Sequence, residues 1–285
     1  SCTITLATST PEGPTNILIA GDNTNTVNVD VSVTDQPLIS IVSPVQQNRV
    51  VTVFGIPLSL EITNDVHSVM NANAITVSNK AACPNLSVDD SNCTSVAPGA
   101  SCTLELTSNT PYAPCTITVS GSNTANSPIA LIAFSYLGGL VFEESGGSGK
   151  VVIDVAQGFD SLWTSILSSI VGASSLDDGA SNTNAIVADI SCFGDPTDCA
   201  ALLCQDISID WYLPAINELS TVHNALCSNA AIPCNFGEFS SGLYWSSTQS
   251  IISNTFARNV NFPTGIEDVG NKNSFSFVRC VQAFT

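Results

Sequence analysis

The chain of 285 residues carries 24 acidic and only six basic side chains, a formal net charge of −18 although just 11% of its residues are charged. Six scattered cations build no basic patch, which argues against nucleic acid as a partner. Acidic polysaccharides would be repelled too, although screening confines that effect to about 10 Å at ordinary salt.

The length suits two domains and allows a sizeable core. Eleven cysteines in a Ser/Thr/Asn-rich chain point to an oxidising compartment, so an extracellular or cell-surface location is expected. No run reaches the roughly 20 apolar residues of a membrane span. The nearest, Pro128 to Phe142, is broken by Ser135 and Gly138-Gly139 and reads as a strand and a domain junction. No signal peptide is present, so a mature chain or an excised fragment is expected.

The first 33 residues recur at an offset of 100 without a gap. Ser1-Cys2-Thr3-Ile4-Thr5-Leu6 answers Ser101-Cys102-Thr103-Leu104-Glu105-Leu106. Thr10-Pro11, Pro14, Ile17, Gly21, Asn23 and Thr24 likewise have identical counterparts 100 residues on. A fixed period marks tandem modules. Residues 1–34 therefore read as the second half of one repeat and 35–136 as a complete one.

Alternating apolar positions place strands at Leu38–Val42, Val50–Phe54, Leu58–Ile62, Ala74–Val77, Cys102–Leu106, Thr116–Ser120 and Ile129–Phe134. Ala97-Pro98-Gly99 is a typical intervening turn. About seven strands in about 100 residues is the pattern of an immunoglobulin-like sandwich. The antibody Cys–Trp–Cys arrangement is missing, so only the architecture is expected. The strands of residues 1–34 lack partners in this sequence. Either they end a longer array, or they pair with a neighbouring subunit to form a homo-oligomer or filament.

Residues 137–285 change character. Gly138-Gly139 and Ser145-Gly146-Gly147-Ser148-Gly149 mark a boundary and a hairpin between Leu140–Phe142 and Val151–Val155. Apolar periodicity predicts helices over Asp160–Val171, Asn184–Ile190 and Thr197–Cys204. A further helix over Pro214–Leu226 has Pro214 at its first position and Glu218 in its first turn. Strands are expected at Leu243–Ser246, Phe256–Val260 and Phe275–Val281. This part reads as α+β.

A set of blocks in fixed order carries a resemblance. They are Gly138-Gly139-Leu140-Val141-Phe142, Ser148-Gly149, Ser181-Asn182-Thr183-Asn184-Ala185-Ile186, and Asp210-Trp211-Tyr212-Leu213-Pro214 with Asn217-Glu218-Leu219. Gly242-Leu243-Tyr244-Trp245-Ser246-Ser247-Thr248, Asn271-Lys272-Asn273, and Val278-Arg279-Cys280-Val281 with Ala283-Phe284 follow. Residues 138–284 thus resemble the C-terminal domain of bacterial collagen-like adhesins, the Lcl C-terminal-like family. That family is similar to the formylglycine-generating-enzyme and C-type-lectin-like folds. The resemblance implies a C-type-lectin-like fold and binding to a glycan or protein receptor on a cell or matrix surface. Ala215 departs from it: the family often has a Ser or Thr there to cap the helix, so the cap must come from elsewhere.

The cysteines divide as one, four and six between the three segments, so both complete segments hold even numbers. Spacing alone leaves connectivity open. Cys192–Cys199 and Cys227–Cys234 are expected as local clasps, leaving Cys204–Cys280, two places where the resembling family often has cysteines. Thr15 stands where Cys115 has its counterpart while Cys2 is retained, which favours Cys93–Cys102 and Cys83–Cys115. Zinc at Cys192, Cys199 and Cys204 is a weak alternative, because structural sites use closer pairs.

No catalytic constellation is visible, and the chain is expected not to be an enzyme. His67 and His223 lie in different segments, and Gly149-Lys150 lacks the glycine and Ser/Thr of a phosphate loop. An oxidoreductase of the formylglycine type would require a free cysteine pair. No cofactor is expected, with calcium left open at the loop carboxylates Asp177, Asp178, Glu267 and Asp268. Tyr244 and Trp245 could offer a flat face to a sugar, against a core role on a strand. Arg279 is expected to pair with Asp210 or Glu218.

Overall fold

The computed structural model describes residues 4, 12–22, 24–33, 36–154, 159–165, 167–192, 198–227 and 234–285. Cys2 lies outside them.

β1 (Glu12–Ile19) and β2 (Val27–Val33) pair antiparallel as a two-stranded sheet of their own. In the connecting turn the Gly21 N–H donates to Thr24 Oγ1 at 2.9 Å, and Thr24 Oγ1 donates back to Gly21 O at 3.0 Å. The same reciprocal pair closes the turn 100 residues on, between Gly121 and Thr124, at 2.9 and 3.3 Å. The sequence repeat is therefore also a repeat of local structure. Packing differs: Ile117 and Val119 are fully buried, whereas Ile17 is half-buried and Ile19 exposed.

The next ten strands are β3 (Ile39–Ser43), β4 (Val50–Thr52), β5 (Leu58–Asn64), β6 (Ala72–Asn73), β7 (Thr76–Asn79), β8 (Ser87–Asp89), β9 (Ser95–Val96), β10 (Ser101–Thr107), β11 (Cys115–Ser120) and β12 (Ile129–Tyr136). One sheet has the order β3-β5-β10-β8. Facing strands follow β12-β11-β7, with β4 added parallel to β12. The small pair β6–β9 stands apart. The two sheets bury the alternate residues that period-two patterning requires: Leu58, Leu60 and Ile62 on β5, Leu104 and Leu106 on β10, Ile117 and Val119 on β11. Disulfides Cys83–Cys115 and Cys93–Cys102 tie the connections to β11 and β10. In the Ala97–Gly99 turn, Gly99 takes φ +75°, a conformation glycine adopts without a Cβ penalty.

β12 does not end the sheet. It turns through Leu137 (φ +51°) and Gly138 (φ +81°) into β13 (Gly139–Ser145), pairing Tyr136 with Gly139 and Ser135 with Leu140. Two central residues at positive φ define a tight hairpin turn. β13 pairs with β14 (Ser148–Ile153) through Gly146 and Gly147, also both at positive φ. The expected boundary at residue 137 is thus a two-residue turn inside one sheet.

The remaining elements are β15 (Phe159–Ser161), α1 (Gly179–Val187), α2 (Ala200–Ile207), α3 (Ile216–Leu226), β16 (Leu243–Gln249), β17 (Phe256–Asn261), β18 (Ile266–Asn271), β19 (Ser276–Val278) and β20 (Val281–Phe284). β20 pairs with β14 and completes the seven-stranded sheet β20-β14-β13-β12-β11-β7 with β4 attached to β12. A second, five-stranded sheet runs β15-β19-β16-β17-β18. The β13–β14 hairpin is buried on both faces. Val141 and Val151 continue the core of the sandwich towards Trp163, Cys204 and Trp211. Leu140 and Val152 face α3 residues Ile216, Leu219 and Val222, together with Phe236 and Phe262. Cys192–Cys199, Cys204–Cys280 and Cys227–Cys234 are bridged, so the first three of these cysteines are not thiolate ligands for zinc.

Three expectations need correction. The helix over Asp160–Val171 is absent: residues 159–161 form β15, and the Trp163 N–H is taken by Lys272 O at 2.9 Å and the Ile170 N–H by Gln249 Oε1 at 2.9 Å. Those tertiary partners replace the i→i−4 bonds a helix would need. The helix expected from Pro214 begins instead at Ile216, with Ala215 extended at φ −63°, ψ 166°. The strand expected over Phe275–Val281 divides at Arg279 into β19 and β20, which belong to different sheets.

Candidate recognition face

The start of α3 is satisfied by side chains and backbone from other elements. Ile216 N–H donates to Thr248 Oγ1 at 3.0 Å, and Asn217 N–H donates to Leu176 O at 3.0 Å. Thr248 thereby supplies the hydroxyl that Ala215 lacks. The helix's own Glu218 closes the turn, its Oε2 accepting from the Ala215 N–H at 2.8 Å.

Glu218 is also the hub beneath this face. It is 5% exposed. Oε2 accepts from the Gly179 N–H at 3.1 Å; Oε1 accepts from Tyr212 Oη at 3.0 Å and lies 3.1 Å from Lys150 Nζ. Burial alone would pull the Lys150 ammonium below its usual range, but Glu218 and then Glu143 hold it above that range. Burial, reinforced by Glu218, pushes the Tyr212 phenol well above its ordinary value. A Cβ at Gly179 would collide with the Glu218 carboxylate, so α1 must begin with glycine at this close approach.

Asp177 and Asp178 lie in the connection before α1, whereas Glu267 and Asp268, expected in a loop, lie on strand β18, Glu267 on the α3 side of the sheet and Asp268 on the opposite face. Asp177 Oδ1 accepts from Asn217 Nδ2 at 2.6 Å. Asp178 caps α1 by accepting from the Ser181 N–H at 2.8 Å. Glu267 pairs with Arg258 at 2.6 Å and accepts from Ser220 Oγ at 3.0 Å. Asp268 accepts from the Val269 N–H at 2.8 Å. Among the described residues, no three His, Cys, Asp or Glu side chains converge as a metal site.

Between the connection before α1, the β16–β17 connection and strands β17 and β18 lies a cavity of about 380 Å³. Its apolar walls are Leu176, Ile251, Ile252 and Val269, with Gln249 and Arg258 among its polar lining. Sequence reasoning missed it. The available signal was Ile251-Ile252, an apolar pair set between polar residues in a connection rather than on a strand.

Tyr244 and Trp245 present no face to a sugar, because both are fully buried. Trp245 Nε1 donates to Ser161 O at 3.1 Å, and the Tyr244 ring packs on Phe262 at 4.2 Å between centroids. Arg279 does not pair with Asp210 or Glu218. Its guanidinium donates to Ile153 O at 3.1 Å, Gly237 O at 2.9 Å and Glu238 O at 3.3 Å, and it stacks over Phe239 at 4.5 Å. It organises backbone where the chain switches sheets, while Asp210 is exposed. His223 is buried with Nε2 3.0 Å from Phe262 O; His67 is exposed beside Asp65. Lys272 is fully buried over the Trp163 ring and donates to Ser168 O and Gln249 Oε1, each at 2.7 Å; burial lowers its pKa to about 8.

These features define a mostly β, disulfide-clasped chain whose C-terminal part sets three helices against sheet. Residues 197–282, which carry α2, α3 and most of the cavity wall, match the family model of the Lcl C-terminal domain. No curated protein matches the chain. Among solved structures it is similar to the S-layer protein SbsC, domains 4 and 5, at 15% identity and a TM-score of 0.25. That alignment covers 43% of this chain and 59% of the other, so the chain spans less than two thirds of that structure's length. No helix among the described residues is long and apolar enough to cross a membrane.

Proposed function

We propose that the chain is a secreted or surface-exposed adhesin-like protein. In this reading an immunoglobulin-like module presents a C-terminal, C-type-lectin-like domain to a glycan or protein receptor. The observation that carries it is the Lcl C-terminal match over residues 197–282, the segment that contains α3 and most of the cavity wall. Five disulfides support an oxidising, extracellular setting. The immunoglobulin-like reading is supported by β3-β5-β10-β8 facing β4-β12-β11-β7, the division of a seven-stranded Greek-key sandwich with its first strand split between sheets. A binding role without catalysis is supported by the Cys204–Cys280 bridge, which removes the cysteine pair that a formylglycine-type oxidoreductase would need free.

The test uses the whole chain, because β12 is shared between the two parts. Beads coated with it are offered to neutral and sulfated glycan arrays, and to cells and matrix proteins, with and without calcium. Saturable retention on one class supports the reading. Retention on none of them sinks it.

A second reading, an extracellular filament subunit, is favoured by one observation. The β1–β2 hairpin stands as a separate sheet and exposes Ile19, whose counterpart Val119 is buried by a facing sheet in the complete repeat. Light scattering and electron microscopy of the chain with and without residues 1–34 decide between the two. Assembly of the longer form alone establishes the filament; two monomers leave the hairpin as part of a spacer.

A further inference from the structure

The β16–β17 connection inverts the usual order of burial. Gln249 and Ser250 are 8% and 4% exposed, while Ile251 and Ile252, which follow them, are 94% and 85% exposed. Two adjacent isoleucines held in water contribute nothing to the core, and contiguous exposed apolar surface of this kind marks interaction sites. They form the lip of the cavity of about 380 Å³ whose other aliphatic walls are Leu176 and Val269.

The cavity is held open by its polar frame. Gln249 Oε1 accepts from the Ile170 N–H at 2.9 Å and from Lys272 Nζ at 2.7 Å. The Ser250 N–H donates to Phe256 O at 3.0 Å, and the Ile252 N–H donates to Ser250 Oγ at 3.2 Å. Leu176 is fixed through its carbonyl, which accepts from the Asn217 N–H. An interior set before the partner arrives lowers the ordering cost of binding.

Charge selects the occupant. Arg258 is the one charged side chain among the described lining residues, and Glu267 neutralises it at 2.6 Å. Asp177, next to Leu176, remains as an exposed carboxylate bound only by a neutral donor, whereas Asp268 lies opposite Asn259 on the other face of the sheet from Val269. The chain as a whole carries −18. Among the described residues no aromatic ring lines the cavity, so these residues offer no stacking platform for a sugar. An aliphatic interior with the Asp177 carboxylate beside it, in a chain of net charge −18, complements an apolar group that carries positive charge beside it.

We propose that this cavity docks a protein segment in which an aliphatic side chain is flanked by lysine or arginine. The inference rests on the surface-recognition reading above and names the receptor class as protein. The probe is a synthetic five-residue peptide with leucine between two pairs of lysines, titrated into the isotope-labelled chain at 0.15 M salt and followed by NMR. Two control peptides replace the leucine by serine or the lysines by glutamate. The double variant Ile251→Ser/Ile252→Ser alters only exposed side chains, and its thermal melt confirms that the fold is retained.

The expected result is saturable shifts at Ile251, Ile252 and Val269, at least tenfold weaker binding of the serine peptide and by the double variant, and no saturation with the glutamate peptide. Equal binding of the leucine and serine peptides, or binding that the double variant leaves unchanged, reduces the effect to bulk charge and overturns the proposal. Binding to neutral phosphatidylcholine vesicles that depends on the two isoleucines, without peptide binding, reassigns the lip to a lipid surface and overturns it too. A chain that attaches to cells equally well with Ile251→Ser/Ile252→Ser refutes the pocket alone. A chain that attaches to nothing refutes the surface-recognition reading itself.

Discussion

Lys150 Nζ, on the β13–β14 hairpin, lies 3.1 Å from Glu218 Oε1, in the first turn of α3. The pair joins the sheet that continues from the sandwich to the helix beneath the recognition face. Glu218 also receives three other donors, from Gly179, Ala215 and Tyr212. Its removal strands these three donors in a buried setting, while Lys150 keeps Glu143 at 3.4 Å. Glu218→Ala is expected to cost about 3–5 kcal/mol of stability, and Glu218→Gln, which keeps an acceptor, about 1–3 kcal/mol. Denaturant unfolding with the disulfides intact measures both. Equal losses for the two variants would show that the charge of Glu218 carries the whole contribution and that a neutral acceptor in its place adds nothing.

Leu137 occupies a left-handed conformation, φ +51°, in the turn that joins β12 to β13, and its side chain is largely exposed. A branched side chain is disfavoured there, and asparagine tolerates that region better. Leu137→Asn is expected to raise stability by about 0.5–1 kcal/mol, read as a shift in urea midpoint with an unchanged slope. A lower midpoint would mean that leucine packing outweighs the backbone cost.

Lys272 gives a pH signature. Burial lowers its pKa from the ordinary lysine value to about 8 in the folded chain. Below pH 8 it is protonated folded and unfolded alike, so the penalty is constant. Between about 8 and 10 the unfolded chain holds the proton more tightly, and unfolding free energy therefore rises with pH. Tyr212, whose pKa is raised on folding, opposes this only above about pH 10, where the unfolded phenol ionises. The chain should gain about 1–2 kcal/mol over Lys272→Met between pH 7.5 and 9.5. Parallel pH profiles for the two proteins would refute this.

Gly270 tests the placement of Trp245. A Cβ at Gly270 would lie 2.6 Å from Trp245 Cη2 and 2.8 Å from Asn259 Nδ2, both packed in the interior. Gly270→Ala is expected to destabilise by about 1–3 kcal/mol through overpacking. Thermal melting reads the loss. Retention of any ligand by the folded variant is expected to be unchanged, since Trp245 touches no solvent.

The sandwich strands were legible because each follows a two-residue alternation that only a half-buried strand satisfies, as in Leu58, Leu60 and Ile62. The same logic failed where tertiary partners replaced local ones. Trp163 and Ile170 mimic one helical face, yet their N–H groups bond to Lys272 and Gln249, residues about 80–110 positions away in sequence. β18, Ile266–Asn271, escaped notice because an exposed edge strand needs no apolar alternation. For the candidate face, the acidic residues could be named from sequence, although Glu267 and Asp268 lie on β18 and not in a loop. The cavity could not, because Leu176, Ile251 and Val269 come together only when β16, β17, β18 and the loop before α1 are folded. Tyr244-Trp245 looked like a sugar platform because the motif is aromatic and flanked by serines; those serines are buried with it.

The two-residue turn at Leu137-Gly138 has a mechanical meaning. A partner gripping the C-terminal part pulls on β13 and β14, and β13 is bonded to β12, which in turn is bonded to β4 and β11. Tension therefore enters the sandwich through this turn and the two residue pairs that join β12 to β13, and passes from β12 to β4 and β11. Cys83–Cys115 anchors β11 at the far side of that path. Stretched from its two ends, the molecule should resist as one stiff strut, and the weak point should lie elsewhere than at the seam between its two halves.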